Sequence, residues 1–315
     1  MKICATCKSE SIEIDKITSE AVIDKKSIEW KIKRGEYTIA PNDMVPYLIG
    51  IRPRLPKNWD TTFELNLGKQ YANRWIYYWA TNQASSYKIK NAPDAYGTQY
   101  TNSGIEKTDN QGKIIFKLEC PQPYYIDNKT YYPHIHFMIS NEKNEHWELT
   151  VRTVTIICKM NQQKIENAIN NKSYLILNAL QMNKKIPNSI NLFYKDAQKM
   201  SNEQLDNFIK NNINILNEDI QTLVRNNELS IKDIPIIVYC DSKDCQELKI
   251  LAKRLLDAGY HKILQYDKEY NATNKSTPSS YNWMILLFIA IIFIIIIILF
   301  YNNISLKKVK IQRRR

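Results

Sequence analysis

Alternating apolar and polar side chains predict a series of β-strands in the first half of the chain. The clearest segments are Trp75 to Trp79, Lys113 to Leu118, His134 to Ile139 and Glu148 to Ile157. Neighbouring strand side chains point to opposite faces, so each segment can bury one face, and several in succession favour a β-sandwich. We expect residues 59–160 to form this sandwich, and residues 1–58 to add strands or a covering arm.

The second half of the chain alternates predicted strands with predicted helices. The strands are Lys172 to Leu177, Ile234 to Cys240 and His261 to Tyr266, and the helices are Ser201 to Asn211, Asp219 to Asn227 and Cys245 to Ala258. Gly259 provides a stop for the last helix. Strands that alternate with helices usually pair in parallel, so residues 161–270 are predicted to form a small α/β domain with a parallel sheet.

A longer apolar segment lies near the end of the chain. Met284 to Phe300 is an uninterrupted apolar run of about seventeen residues, with aromatic residues on both sides. With those flanks it reaches the roughly twenty residues that span a bilayer. We predict a polar linker at 271–282, one C-terminal transmembrane helix at 283–301 that contacts the lipid bilayer, and a basic tail at 302–315. The expected fold class is multi-domain α and β: a β-sandwich, a small α/β domain and a single-pass membrane anchor. Both orientations of this anchor across the bilayer stay open.

Charge and cysteine content limit the remaining function classes. The 315-residue chain has a formal net charge of +12, but six basic residues lie in the last nine positions. No basic stripe interleaved with aromatic residues remains, so no nucleic-acid partner is expected. The six cysteines are too sparse for a disulfide-stabilised scaffold, which favours a reducing compartment. Cys4 and Cys7 are spaced like half of a zinc site, but no second pair completes it.

A His-x-His pair, His134 and His136, lies within one predicted strand. Because strand side chains alternate, both imidazoles point the same way and can share one metal ion. Upstream, prolines stiffen an extended segment that presents Tyr124. Two imidazoles with phenolates make a hard site suited to Fe(III). From the residues alone, a packed histidine pair without a metal remains an alternative.

The segment Cys120 to Phe137 resembles the intradiol ring-cleavage dioxygenases, whose pattern is Pro-x-Pro-Tyr followed by Arg-Pro-Ala-His-Ile-His-Phe. Trp79 to Gln83, followed by Tyr87, is similar to the Trp-Gln-Ala segment of that family. Thr108 to Phe116 is similar to its Thr-Asp-x-x-Gly hairpin. The resemblance covers residues of about 60 to 160, and the motifs occur in the order of the family.

The resemblance implies non-haem Fe(III) held by Tyr96, Tyr124, His134 and His136, with Tyr100 as an alternative to Tyr96. It also implies a substrate and an activity, the oxidative ring cleavage of a catechol-like small molecule by dioxygen. Enzymes of this family often oligomerise, so a homo-oligomer is compatible with the resemblance.

Two departures from the family bear on catalysis. The arginine that stabilises substrate charge in the family is replaced by Tyr131 or Tyr132. The family's glutamine falls near Val151, and the adjacent Arg152 is a candidate catalytic stand-in. Loss of preorganised charge stabilisation costs orders of magnitude in rate, so we expect a metal site with slow catalysis.

The segment Ile236 to Cys245, followed by Leu251 to Tyr260, resembles rhodanese-like domains. The resemblance implies that Cys240 is a catalytic thiolate that accepts sulfur at the head of a helix. Acidic residues in the loop (Asp241, Asp244 and Glu247) disfavour a thiolate and repel thiosulfate, which favours an inert module. Cys245 either pairs with Cys240 under oxidation or fills a gap.

Three functional hypotheses follow. The first is a membrane-anchored, iron-dependent intradiol-type dioxygenase. The second is a non-catalytic structural or interaction protein in a virion or host membrane, for which the Ile-, Lys- and Asn-rich composition suits a large DNA virus or a protist. The third is sulfur transfer through Cys240. Iron content separates the first from the second, and thiosulfate-to-cyanide activity isolates the third.

Overall fold

The computed structural model describes residues 17–22, 51–97, 100–148, 150–180, 186–240, 245–268, 270 and 292–293, and residues 17–22 by their backbone alone. The chain divides into two units, Met1–Glu269 and Tyr270–Arg315. The Cys4 and Cys7 pair and the linker at 271–282 lie outside the described residues.

The membrane anchor predicted at 283–301 also lies outside the described residues, except for Ile292 and Phe293. These two residues are helical, and their side chains are exposed. Among the residues that the structure describes, no helix is both long enough and apolar enough to cross a bilayer.

The first part of the large unit is built almost entirely from strands. They are β1 Ile17–Val22, β2 Thr61–Asn66, β3 Trp75–Ala80, β4 Lys90–Asn91, β5 Ser103–Lys107, β6 Lys113–Leu118, β7 Tyr124–Ile126, β8 Lys129–Tyr131, β9 His134–Ile139 and β10 Thr150–Thr155. A short helix, α1 (Ala92–Tyr96), follows β4. The strands described here form an antiparallel sheet in the order β1-β10-β9-β3-β5, a β2-β6 pair and a small β4-β7-β8 sheet.

Each face of the five-stranded sheet packs against a different partner. One face meets the β2-β6 pair in a buried core that includes Tyr78, Phe116 and Phe137. Tyr78 and Phe116 contact edge to face, with ring centroids 5.1 Å apart, a geometry favoured between aromatic rings. The other face, with Trp79, packs against α1 and β7. Because strand side chains alternate, β3 and β9 supply residues to both layers.

The second part of the large unit is a layer of parallel strands with helices. Its strands are β11 Leu175–Asn178, β12 Ile190–Asn191, β13 Ile236–Tyr239 and β14 Ile263–Tyr266, and its helices are α2 Gln162–Asn171, α3 Tyr194–Lys199, α4 Asn202–Asn211, α5 Glu218–Arg225 and α6 Gln246–Asp257. The strands pair in parallel in the order β12-β11-β13-β14. Helix α6 buries Leu248, Leu251 and Leu255 in this layer, on one face as its 3.6-residue period requires.

The mixed α and β class with several sheets is confirmed. Strands β6 and β9 begin and end at the residues predicted from their apolar pattern. The cysteines differ from expectation, since Cys120 is bonded to Cys158 and Cys240 to Cys245. Reduced thiols were the wrong prediction for Cys120 and Cys158, whereas the pairing of Cys240 with Cys245 is one of the two alternatives stated for Cys245. The fold brings the paired Cα atoms to 5.9 and 6.3 Å, within disulfide range.

Candidate metal centre

The four side chains predicted as iron ligands lie next to one another on one face of the five-stranded sheet. Tyr96 ends α1, Tyr124 opens β7, and His134 and His136 alternate along β9. The Tyr96 and Tyr124 hydroxyl oxygens are 3.4 Å apart, and the Tyr124 oxygen is 3.1 Å from His134 Nε2. The two Nε2 atoms of the histidines are 3.0 Å apart. We call these four side chains the donor cluster.

Local structure positions each member of the donor cluster. The Asn91 side chain accepts a hydrogen bond from Asp94 N and so begins α1, and Gly97 ends the helix with φ at +67°. Tyr96 is therefore fixed at the last turn of a capped helix. The histidines are fixed by register, because β9 pairs with β3 on one side and β10 on the other.

Two hydrogen bonds orient the imidazoles. His134 Nδ1 lies 2.6 Å from the Tyr132 carbonyl oxygen, and His136 Nδ1 lies 2.9 Å from Thr153 Oγ1. A carbonyl only accepts, so the neutral His134 carries its proton on Nδ1 and directs the lone pair of Nε2 into the cluster. Partners of this kind, on the far nitrogen, hold metal-binding histidines in place.

Burial keeps His134 neutral. Desolvation lowers its pKa to about 4, and the hydrogen bond to the Tyr132 carbonyl opposes this shift only in part. At neutral pH the imidazole is therefore unprotonated on Nε2, which is the form that binds a metal ion.

The donor cluster fits the iron that the family resemblance implies. Nitrogen and oxygen ligands bound about 2.1 Å from one ion lie roughly 3.0–3.4 Å apart in neighbouring positions. The cluster distances of 3.0, 3.1 and 3.4 Å match that spacing. Two imidazoles and two phenol oxygens are also a donor set that suits a hard ferric ion.

Aromatic rings surround the donor cluster. The Trp79 ring lies 5.4 Å from His136, and Tyr131 stacks on Tyr124 at 5.5 Å. Tyr100, the alternative ligand, instead places its ring 5.3 Å from the ring of Tyr96. Tyr96 is the tyrosine whose hydroxyl oxygen meets that of Tyr124, so the geometry favours it as the ligand.

The structure does not bring Arg152 to the donor cluster. Arg152 lies opposite Phe137, whereas its neighbour Thr153 lies opposite His136. Successive strand side chains point to opposite faces, so Arg152 projects away from the histidines. There it forms an ion pair with Glu148 at 3.3 Å and covers the Tyr71 ring.

Tyr131 and Tyr132, at the position of the arginine in the resemblance, contact other groups. Tyr131 stacks on Tyr124, and the Tyr132 hydroxyl donates a hydrogen bond to the Leu256 carbonyl in α6, 2.7 Å away. Burial raises the pKa of Tyr132 to about 12, so its phenol is neutral. Weak charge stabilisation of a substrate stays a prediction.

The predicted sulfur-accepting residue Cys240 is bonded to Cys245. Cys240 follows β13, and Cys245 is the N-cap of α6, with Sγ 3.2 Å from Glu247 Oε2. Among the described residues, ligand atoms on Cys240, Cys245 and Glu247 also lie within 4.8 Å of one another. Bonded sulfurs are not thiolate ligands, so this cluster is not suited to iron. Asp241 and Asp244 lie outside the described residues.

A cavity of about 580 Å³ lies where the strands of the first part meet the parallel layer. Its lining includes Pro123 and Pro133, which precede Tyr124 and His134, and Lys262. The Lys262 ammonium group donates a hydrogen bond to the Tyr87 carbonyl. Because burial disfavours the charge, the pKa of Lys262 falls to about 8.

Neither a family model nor a curated protein matches the sequence. The proposed function therefore rests on the geometry of the donor cluster. Sequence reasoning missed Thr153 as the partner of His136, although a hydroxyl residue on the next predicted strand was available as a signal. The Trp79 ring is part of the buried core on this face of the sheet and also borders His136.

Proposed function

We propose that residues 59–160 form an intradiol dioxygenase-like β-sandwich that binds one non-haem Fe(III) and opens the ring of a catechol-type substrate. One observation carries the proposal: the donor atoms of Tyr96, Tyr124, His134 and His136 meet at ligand spacing. A rhodanese-like layer at 161–270 and a membrane anchor at 283–301 complete the proposed architecture.

In this proposal the protein's own residues bind the iron, orient the substrate and exclude water from the site. The two histidines donate neutral imidazoles, and the two tyrosines donate phenolates. Bound ferric iron would hold a chelated diphenol and make its ring reactive toward dioxygen. Trp79 and Tyr131 shield the site from water, which strengthens every electrostatic interaction inside it.

Slow turnover is part of the proposal. Arg152 faces the other side of the sheet, and Tyr132 is neutral and turned toward α6. No charged group among the residues predicted for that role would then stabilise the developing charge of the substrate, which costs orders of magnitude in rate.

The first test is the iron content and visible spectrum of the full-length protein, purified in mild detergent and reconstituted with ferric iron. We expect about one iron per chain and a phenolate-to-iron charge-transfer band. Tyr124→Phe and His134→Ala should lose most of the iron and the band. Tyr125→Phe is the matched control, because this neighbouring tyrosine is exposed and should leave both unchanged. A colourless protein that stays free of iron would reject the proposal.

The placement of Arg152 and Tyr132 also favours a second candidate, a non-catalytic structural or interaction protein of a membrane that retains the metal site. Oxygen uptake with a panel of catechols separates the two. Slow ring cleavage that is lost in Tyr124→Phe supports the dioxygenase. Stoichiometric iron without any oxygen uptake supports the structural protein. Sulfur transfer through Cys240 is a third proposal, and it requires prior reduction of the bond to Cys245.

A further inference from the structure

We propose that the Cys240–Cys245 disulfide is a redox-active site that exchanges electrons with thiols, independently of the donor cluster. The two cysteines are five positions apart and are joined by an S–S bond. They connect the carboxyl end of β13 to the start of α6.

The disulfide lies at the place where open parallel sheets carry their reactive groups. In the order β12-β11-β13-β14, the chain leaves β11 toward one edge of the sheet and leaves β13 toward the other. The carboxyl ends of β11 and β13 therefore form the switch point of the sheet, where ligands of such folds bind. Cys240 directly follows β13 at this point.

The two sulfurs have different surroundings, which assigns their roles. Cys240 is fully buried, whereas Cys245 keeps 6 % of its surface exposed. Cys245 is also the N-cap of a twelve-residue helix, and a helix N-terminus favours a thiolate. We therefore assign Cys245, the less buried sulfur at the helix N-terminus, as the one that a substrate thiolate attacks, and Cys240 as the sulfur that leaves.

Glu247 adds a carboxylate beside the sulfur that is attacked. Its Oε2 atom is 3.2 Å from Cys245 Sγ. Once the disulfide is reduced, the Cys245 thiol can donate its proton to this carboxylate. Glu247 is therefore a positioning residue that holds and moves the proton of Cys245.

The exchange takes place in two balanced steps. A substrate thiolate attacks Cys245 Sγ, the bond to Cys240 breaks, and the Cys240 thiolate takes up a proton. A second substrate thiol, as its thiolate, attacks the mixed disulfide and releases Cys245, which takes up the second proton. Two thiols lose two electrons and two protons to become one disulfide, and the protein disulfide gains them.

The other described disulfide serves as an internal control. Cys120–Cys158 closes a span of 38 positions, and neither of its cysteines is the N-cap of a helix. A bond of this kind constrains the unfolded chain far more than one that closes five positions. We therefore assign a stabilising role to Cys120–Cys158 and a chemical role to Cys240–Cys245.

The test incubates full-length protein with reduced glutathione, followed by alkylation and peptide mass spectrometry. We expect Cys240–Cys245 to be reduced at least about tenfold faster than Cys120–Cys158. The protein should also catalyse reduction of insulin disulfides by dithiothreitol, and Cys240→Ser and Cys245→Ser should each abolish this catalysis. Equal reduction rates, or unchanged catalysis in both serine variants, would overturn the proposal.

Two further variants separate a redox role from a structural one. Glu247→Gln should change the pH profile of Cys245 alkylation in the reduced protein, since the carboxylate no longer takes the proton. Tyr124→Phe should leave insulin reduction intact, which keeps this site distinct from the iron proposal. A Glu247→Gln profile identical to that of the wild type would remove Glu247 from the proposed mechanism.

Discussion

The donor cluster and the Cys240–Cys245 disulfide are both buried polar sites, but they are assembled in opposite ways. The cluster takes Tyr96 from a helix end and His136 from the middle of β9, and it depends on Thr153 in β10. The disulfide joins two residues five positions apart. A site that is built from strand register should fail when distant packing changes, whereas a local site should survive.

Among the changes considered, removal of the long-span disulfide Cys120–Cys158 should lower the free energy of unfolding most. The double variant Cys120→Ala/Cys158→Ala should lose about 4 kcal/mol of unfolding free energy, because the closed loop is long. Cys240→Ala/Cys245→Ala, with its short loop, should lose about 2 kcal/mol. Urea unfolding of both variants, read by circular dichroism, checks the difference. Equal losses would contradict the separate roles of the two bonds.

Two glycines with similar backbone angles offer the next comparison. Gly112 in the turn before β6 has φ at +78°, and an added Cβ would lie 1.9 Å from the Gly68 carbonyl oxygen. Gly112→Ala should cost about 3 kcal/mol, through backbone strain and overlap together. Gly259 has φ at +88°, but no atom of the described residues lies within 4 Å of its added Cβ. Gly259→Ala should cost about 1 kcal/mol.

Thermal unfolding of the two alanine variants measures these costs. Iron content should fall in Gly112→Ala, since the turn joins strands of the layers that support the cluster, and should stay unchanged in Gly259→Ala. A Gly259 variant less stable than the Gly112 variant would show that space at the Cβ position does not decide the cost.

The same contrast explains what the sequence could and could not predict. The alternating pattern placed His134 and His136 on one face of β9, because strand parity is a local property. The side of β10 that faces them depends on how β9 and β10 pair, so Arg152 was chosen and its neighbour Thr153 was overlooked. The alternation of side chains within one strand follows from the sequence, but the register between two strands does not.

The helix α2 and the disulfides show two further limits. Helix α2 buries only Ile165 and Ala168 among Asn, Gln and Lys residues, which leaves little apolar periodicity to detect. The six cysteines allow fifteen pairings, and spacing alone does not pair Cys120 with Cys158, 38 positions away. In both cases long-range packing supplies the information that the local pattern lacks.

Thr153→Val tests whether register-dependent support matters to the cluster. Loss of the hydroxyl removes the partner of His136 Nδ1 and should weaken iron binding about 10- to 100-fold. Thr150→Val is the matched control, because position 150 lies on the opposite face of β10. Competition with a chelator, followed at the charge-transfer band, measures both affinities. Equal affinities for the two variants would place Thr153 outside the support of the metal site.

The smallest expected effect concerns Lys262, which lies between the strands of the first part and the parallel layer. Its ammonium group donates a hydrogen bond to the Tyr87 carbonyl. Burial lowers the pKa of Lys262 from 10.5 to about 8, and the charge of Asp233 opposes the shift. Between these values the unfolded chain binds more protons than the folded protein, so stability should rise with pH from about 8 toward 10.5.

Replacing the lysine removes this contribution. Lys262→Met should show a flatter stability profile than the wild type above pH 8, while Lys268→Met, at an exposed position, should follow the wild type. Urea midpoints at pH 7.5, 8.5 and 9.5 for the three proteins measure the difference. If the Lys262→Met profile rises as steeply as that of the wild type, the pH dependence arises elsewhere. Because Lys262 lies between the strands of the first part and the parallel layer, a flattened profile would show that their junction contributes to the stability of the unit.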